Sequence, residues 1–147
     1  MWRAVFGGMR PPRFFLPGQI HDVTVRCVRS EFRLVPSEER KALIARALGN
    51  AQRLCSGIQI FALCQRSNHI HLCVEDQDGE LSRFMQGFLS SLARSLNRID
   101  GVRGSVFESR FSALTVVDSE ALLRRIVYIV TNPVAASLVD DWRAWQG

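Results

Sequence analysis

From residue 20 to residue 28 the chain alternates. Val23, Val25 and Cys27 fall on one side and Asp22, Thr24 and Arg26 on the other, which predicts a half-buried strand. Pro36-Ser37-Glu38-Glu39 carries a helix start, with Ser37 as N-cap and acids in the first turn. That helix is expected to run to about Leu54 with Leu43, Ile44, Ala47 and Leu48 inward, and Ser56-Gly57 breaks it. Strands follow at 58–65 and 68–75, joined through Arg66-Ser67 as a hairpin. After the polar stretch 76–79, Leu81, Phe84, Met85, Phe88, Leu89, Leu92 and Leu96 recur at three and four residues, the spacing of an amphipathic helix. Arg83, Gln86, Arg94 and Arg98 form its polar side. Asp100-Gly101 and Gly104 mark a loop, 111–117 a fourth strand, and Asp118 or Ser119 a cap for a last helix. That helix is expected to stop near residue 130, because the residue before Pro133 avoids helical backbone. Its inward stripe is read as Leu123, Ile126, Val127 and Val130.

The order β-α-β-β-α-β, then a helix, predicts an α+β, ferredoxin-like domain spanning 1–147, with one antiparallel sheet and two helices on one face. The first and third strands are expected in the middle. The uncovered face is open to a site, and the closing helix can pack across part of it. Residues 9–19 are rich in proline and arginine, and residues 1–18 read as an extended basic arm.

Composition narrows the class. Apolar residues make up 47% and no apolar run reaches the roughly 18 residues of a membrane span. The N-terminus lacks the pattern of a signal peptide, so the cytoplasm is the expected compartment. The net charge of +5 is almost all arginine, Lys41 being the only lysine, which permits binding to phosphate backbones. Cys27, Cys55, Cys64 and Cys73 have no C-x-x-C spacing and read as small buried apolar residues rather than a zinc site.

Two features carry candidate chemistry. His69 and His71, two apart on a strand, leave the same face of the sheet, the geometry for two ligands of one metal ion. Cys73 continues that face, but three successive same-face residues do not converge on one ion, so a third ligand has to come from elsewhere. Tyr128 is the only tyrosine, set off the apolar stripe on the side of Arg124 and Arg125, with Asn132 one turn further. Taken singly, a strand H-x-H and a lone helix tyrosine are more often structural than functional.

The segments that hold these residues make a combination. Gln65-Arg-Ser-Asn-His-Ile-His-Leu-Cys-Val-Glu75 resembles the metal strand of the HUH endonucleases. Tyr128-Ile-Val-Thr-Asn-Pro-Val-Ala-Ala-Ser-Leu-Val139 resembles the nucleophile segment of the REP-associated tyrosine transposases, which are single-tyrosine HUH enzymes. Arg103-Gly-Ser-Val-Phe-Glu-Ser-Arg-Phe111 and Pro17-Gly-Gln-Ile-His-Asp-Val-Thr-Val-Arg26 are similar to further segments of that family. The resemblance covers residues 9–142 in family order.

The resemblance implies a metal-dependent DNA transposase. His69, His71 and Asn132 would hold Mg2+ or Mn2+. Tyr128 would attack a phosphate of single-stranded or hairpin DNA, leaving a 5′-phosphotyrosine and a free 3′-hydroxyl. Arg10, Arg13, Arg110, Arg124 and Arg125 are the expected DNA contacts, and the protein is expected as a monomer or homodimer. The sequence departs from the family at Ser67 (often proline), at His21-Asp22 (often tyrosine-histidine) and at Val127 (often arginine), and it ends soon after Trp142. Met9 matches the usual family start. Two other readings compete: a truncated or domesticated hairpin-binding protein without turnover, and a hydrolase using the histidine pair alone. Few carboxylates beyond Glu75 and Asp76 lie near that pair in sequence to serve the second.

Overall fold

The computed structural model describes residues 13–147. Its elements are β1 (Gln19–Arg26), α1 (Glu38–Leu54), β2 (Ile58–Gln65), β3 (His69–Asp76), α2 (Leu81–Asp100), β4 (Ser112–Val116) and α3 (Ser119–Ala135). Arg10 and most of the expected basic arm lie outside the described residues. The strands form one antiparallel sheet in the order β2-β3-β1-β4, with β1 and β3 central, as the ferredoxin-like reading requires. No helix among the described residues is long and apolar enough to cross a membrane.

Strand periodicity divides the sheet between two cores. Val23 and Val25 of β1 and Ile70, Leu72 and Val74 of β3 are buried with Ile44 and Leu48 of α1 and Phe84, Phe88 and Leu92 of α2. Each such side chain contributes about 1.5–3 kcal/mol on burial. A bulge between Ile60 and Ala62 shifts the β2 register. Because side chains alternate, one extra residue reverses the facing. Ile58 and Ile60 therefore join the α1–α2 core, whereas Ala62 and Cys64 face the other way with Cys73, under Ile129 of α3.

The helices are anchored at their ends. Ser37 Oγ accepts from Arg40 N (3.1 Å) to cap α1. Asp76, the fully buried last residue of β3, accepts from both Glu80 N and Leu81 N (2.9 Å each), so the strand that carries the histidines also caps α2. Gly101 takes a left-handed conformation (φ 66°) where α2 ends, a position that favours glycine. Asp118 caps α3 through Ala121 N at 2.7 Å.

Two expectations about α3 are overturned. The helix continues through Asn132-Pro133 to Ala135. Pro133 lies in the last turn, where its missing N–H costs one hydrogen bond, and both Asn132 and Pro133 are buried. The inward stripe is Leu122, Ile126 and Ile129, while Leu123 and Val127 are 63% and 51% exposed. Both stripes fit a 3.6-residue period. The sheet offers the flat patch of Ala62, Cys64 and Cys73, and the stripe that fits it is the one centred on Ile129.

Candidate active site

The pleat of β3 sends His69 and His71 to the α3 side of the sheet while Ile70, Leu72 and Val74 lock the strand from beneath. The two imidazoles meet edge to face, with centroids 4.8 Å apart. Each is held through Nδ1: His69 Nδ1 lies 2.6 Å from Asn68 Oδ1, and His71 Nδ1 lies 3.1 Å from Thr24 Oγ1. Thr24 is there because it pairs with His71 across the β1–β3 ladder. Asn68 Oδ1 is an acceptor, so His69 Nδ1 carries the hydrogen and Nε2 holds the lone pair. No Nε2 of the two rings has a hydrogen-bond partner among the described residues.

Electrostatics keep both rings neutral at physiological pH. Burial pushes the His69 pKa down to about 4, and His71, Arg26 and Arg66 add to the shift. Burial likewise lowers the His71 pKa. Asp22 opposes that shift, and Arg66 and Arg26 reinforce it. A neutral imidazole with its far nitrogen bonded to a fixed oxygen is the form that ligates a metal. The two histidines therefore fit a divalent ion.

The closing helix brings the tyrosine to this pair. Tyr128, 45% exposed, meets His71 edge to face with ring centroids 5.8 Å apart. Asn132, one turn on, is buried, and its side-chain oxygen accepts from Arg66 Nη1. The same guanidinium lies 3.4 Å from the Asn132 backbone oxygen. Among the described residues no three His, Cys, Asp or Glu side chains cluster in a way that could hold a metal. Asn132 is the third ligand that the family resemblance implies, and its side-chain oxygen is engaged by the Arg66 guanidinium in this state.

Of the expected DNA-contacting arginines, Arg124 and Arg125 line a shallow hollow with Ala121 and Tyr128. Arg124 is paired with Glu120 along the helix, and Arg125 reaches Asp22 on β1 at 3.4 Å. Arg13 donates to the Phe111 carbonyl and stacks over that ring at 5.1 Å, and Arg110 is half-buried in the neighbouring segment that leads to β4.

Asp22, Thr24, Arg26 and Arg66 lie about the histidines and were not among the site residues expected from sequence. The first three stood out as the polar side of β1, and Asp22 also as part of a departure from the family pattern. Knowing that β1 pairs with β3 is what turns that side into the wall of the site.

The fold is similar to that of two solved structures. It superimposes on the structure of a REP-associated tyrosine transposase bound to a REP hairpin with a TM-score of 0.74, at 17% identity over 93% of this chain and 79% of that one. A candidate transposase from Deinococcus radiodurans matches with a TM-score of 0.54, at 15% identity over 81% of this chain and 95% of that one. The fold is thus that of the REP-associated tyrosine transposases. No family model and no curated protein matches the sequence.

Proposed function

We propose that the protein is a metal-dependent single-tyrosine transposase that cleaves and rejoins single-stranded DNA at hairpin-forming sites. The observation that carries this reading is the meeting of Tyr128 with His71. The only tyrosine stands at the edge of a neutral two-histidine pair, on the fold of a transposase whose structure contains a REP hairpin.

In this reading the Tyr128 oxygen attacks phosphorus, a P–Oη bond forms and the P–O3′ bond breaks. The phenolic proton leaves to water, and the departing 3′-oxygen takes one up. Rejoining reverses the step with a new 3′-hydroxyl, the covalent intermediate conserving the phosphodiester's energy. His69 and His71, through Nε2, and Asn132, through Oδ1, would hold Mg2+ or Mn2+. Such an ion supplies charge stabilisation to phosphoryl oxygens, which a phenol with a pKa near 10 needs at neutral pH. Arg124 and Arg125 flank the tyrosine and would meet DNA phosphates, while the exposure of Tyr128 suits attack on an extended single strand in the cytoplasm.

The test is incubation with hairpin-bearing single-stranded DNA and Mn2+, followed by denaturing electrophoresis. A covalent protein–DNA adduct in the wild type and none in Tyr128→Phe is expected. An adduct of equal yield in Tyr128→Phe would overturn the assignment. The Arg66–Asn132 bond favours one alternative, a hairpin binder without turnover, which predicts salt-sensitive binding and no adduct with either ion.

A further inference from the structure

Resting on the reading just given, the inference concerns two arginines that this reading leaves unused. Arg26 pairs with His69 across the β1–β3 ladder, on the face that carries the histidines, and is exposed. Arg66, half-buried in the β2–β3 turn, reaches over the same face to Asn132. Both guanidinium charges are felt at both imidazoles.

Neither arginine is paired with a carboxylate, a state shared among the described residues by Arg46, Arg53, Arg94, Arg98 and Arg103; what distinguishes Arg26 and Arg66 is that their charges act on the two histidines. Arg33 and Arg40 share Asp100, Arg29 pairs with Glu31, Arg83 with Glu80, Arg124 with Glu120, Arg125 with Asp22 and Arg143 with Asp141. Among the described residues neither Arg26 nor Arg66 has a carboxylate partner, and the only side-chain acceptor of Arg66 is the neutral amide of Asn132. The nearby carboxylate, Asp22, is engaged by Arg125. Two uncompensated cations therefore border the position a divalent ion would take, and one of them holds the oxygen that would complete its ligands. Like charges in a partly desolvated site repel strongly. An anion seated between them is attracted by both guanidiniums and by the ion and so offsets their mutual repulsion, and a guanidinium is shaped for phosphate.

We propose that Arg26 and Arg66 make divalent-ion binding conditional on DNA. A phosphodiester draws Arg66 off Asn132, is gripped by both guanidiniums, and only then does the amide oxygen become free for the ion. Arg26 and Arg66 are positioning residues for the metal and direct contacts of the phosphate. By linkage, DNA then tightens metal binding by the same factor by which metal tightens DNA binding.

The experiment uses Tyr128→Phe protein, so that no strand is cut, and measures Mn2+ affinity by calorimetry with and without a hairpin-bearing single-stranded oligonucleotide. DNA is expected to tighten Mn2+ binding about tenfold or more. Adding Arg66→Ala or Arg26→Ala is expected to tighten Mn2+ binding without DNA by about threefold or more and to cut the DNA enhancement to less than about threefold. Arg66→Lys keeps the charge and is expected to keep the weak DNA-free affinity. Thermal unfolding of each variant establishes that it is folded. The proposal is overturned if DNA leaves Mn2+ affinity unchanged, if the alanine variants bind Mn2+ no tighter than their parent, or if Arg66→Lys behaves as Arg66→Ala. An adduct in the wild type without metal–DNA coupling sinks this inference alone. Coupling without any adduct sinks the proposed reaction and leaves the linkage standing.

Discussion

Thr24 stands directly opposite His71 across the β1–β3 ladder, with its hydroxyl oxygen 3.1 Å from His71 Nδ1. Through that contact the central strand orients the ring that meets the tyrosine. Thr24→Val keeps the β-branched shape and removes the hydroxyl. Loss of such an outer partner typically weakens metal binding by about 10–100-fold. Calorimetry with Mn2+ in the presence of DNA is expected to show a loss in that range, with a melting temperature close to wild type. Unchanged affinity would show that His71 is oriented by packing alone.

The Asp22–Arg125 pair is lopsided. The Asp22 side chain is almost fully buried, with Oδ1 lacking any partner among the described residues, whereas the Arg125 side chain is 43% exposed. Removing the arginine strands a buried carboxylate, and removing the carboxylate frees an arginine to solvent. Arg125→Ala is expected to destabilise by about 1 kcal/mol or somewhat more, and Asp22→Asn by less. Denaturant unfolding of both and of the double variant checks the order. Equal losses would mean the pair holds α3 no more firmly than a surface contact.

Ile129 is the fully buried residue of α3 in the second core. Ile129→Ala is expected to cost about 2–5 kcal/mol, and amide exchange to show the loss concentrated in α3. Leu123→Ala and Val127→Ala, on the exposed side, are expected to stay within about 0.5 kcal/mol of wild type. A large loss at Leu123 or Val127 would restore the stripe first read from the sequence.

That contrast marks where the sequence is legible. The strong stripes of α2 and the alternation of β3 each admit one solution, and Leu81, Phe84, Phe88, Ile70 and Leu72 are buried as their spacing predicts. In α3 nearly every turn offers an apolar residue on two sides, so spacing alone does not choose between Val127 and Ile129. The sheet patch it packs on decides, and the bulge beside Phe61 helps to build that patch. His69, His71 and Tyr128 stood out in the sequence as rare residue types, it was the family resemblance that joined them into one candidate site, and the fold brings Tyr128 to His71. Arg66 and Thr24 were not, since an arginine in a hairpin and a threonine in a strand are ordinary until the register brings them to the histidines. The expected DNA contacts at Arg13 and Arg110 fall at the approach to β4, where Arg13 is bound to Phe111.

His21 makes stability depend on pH independently of the site. It is 1% exposed on the α1–α2 side of β1, touches Phe15 edge-on at 4.9 Å, and neither ring nitrogen has a hydrogen-bond partner among the described residues. Burial lowers its pKa below 6.5, with Asp76 only partly opposing the shift. The unfolded chain thus takes up a proton at this residue more readily than the folded one. The slope of unfolding free energy with pH is then positive from below 6.5 down to the folded pKa. Stability is fully present above pH 6.5 and is lost as the solution is acidified. His21→Leu removes a proton acceptor of the unfolded state and a buried ring that costs about 1–3 kcal/mol when unpartnered. The variant is expected to be at least as stable as wild type at pH 7.5, and its melting temperature to fall less between pH 7 and pH 5. If the two proteins lose stability in parallel over that interval, His21 does not set the acid limit of the fold.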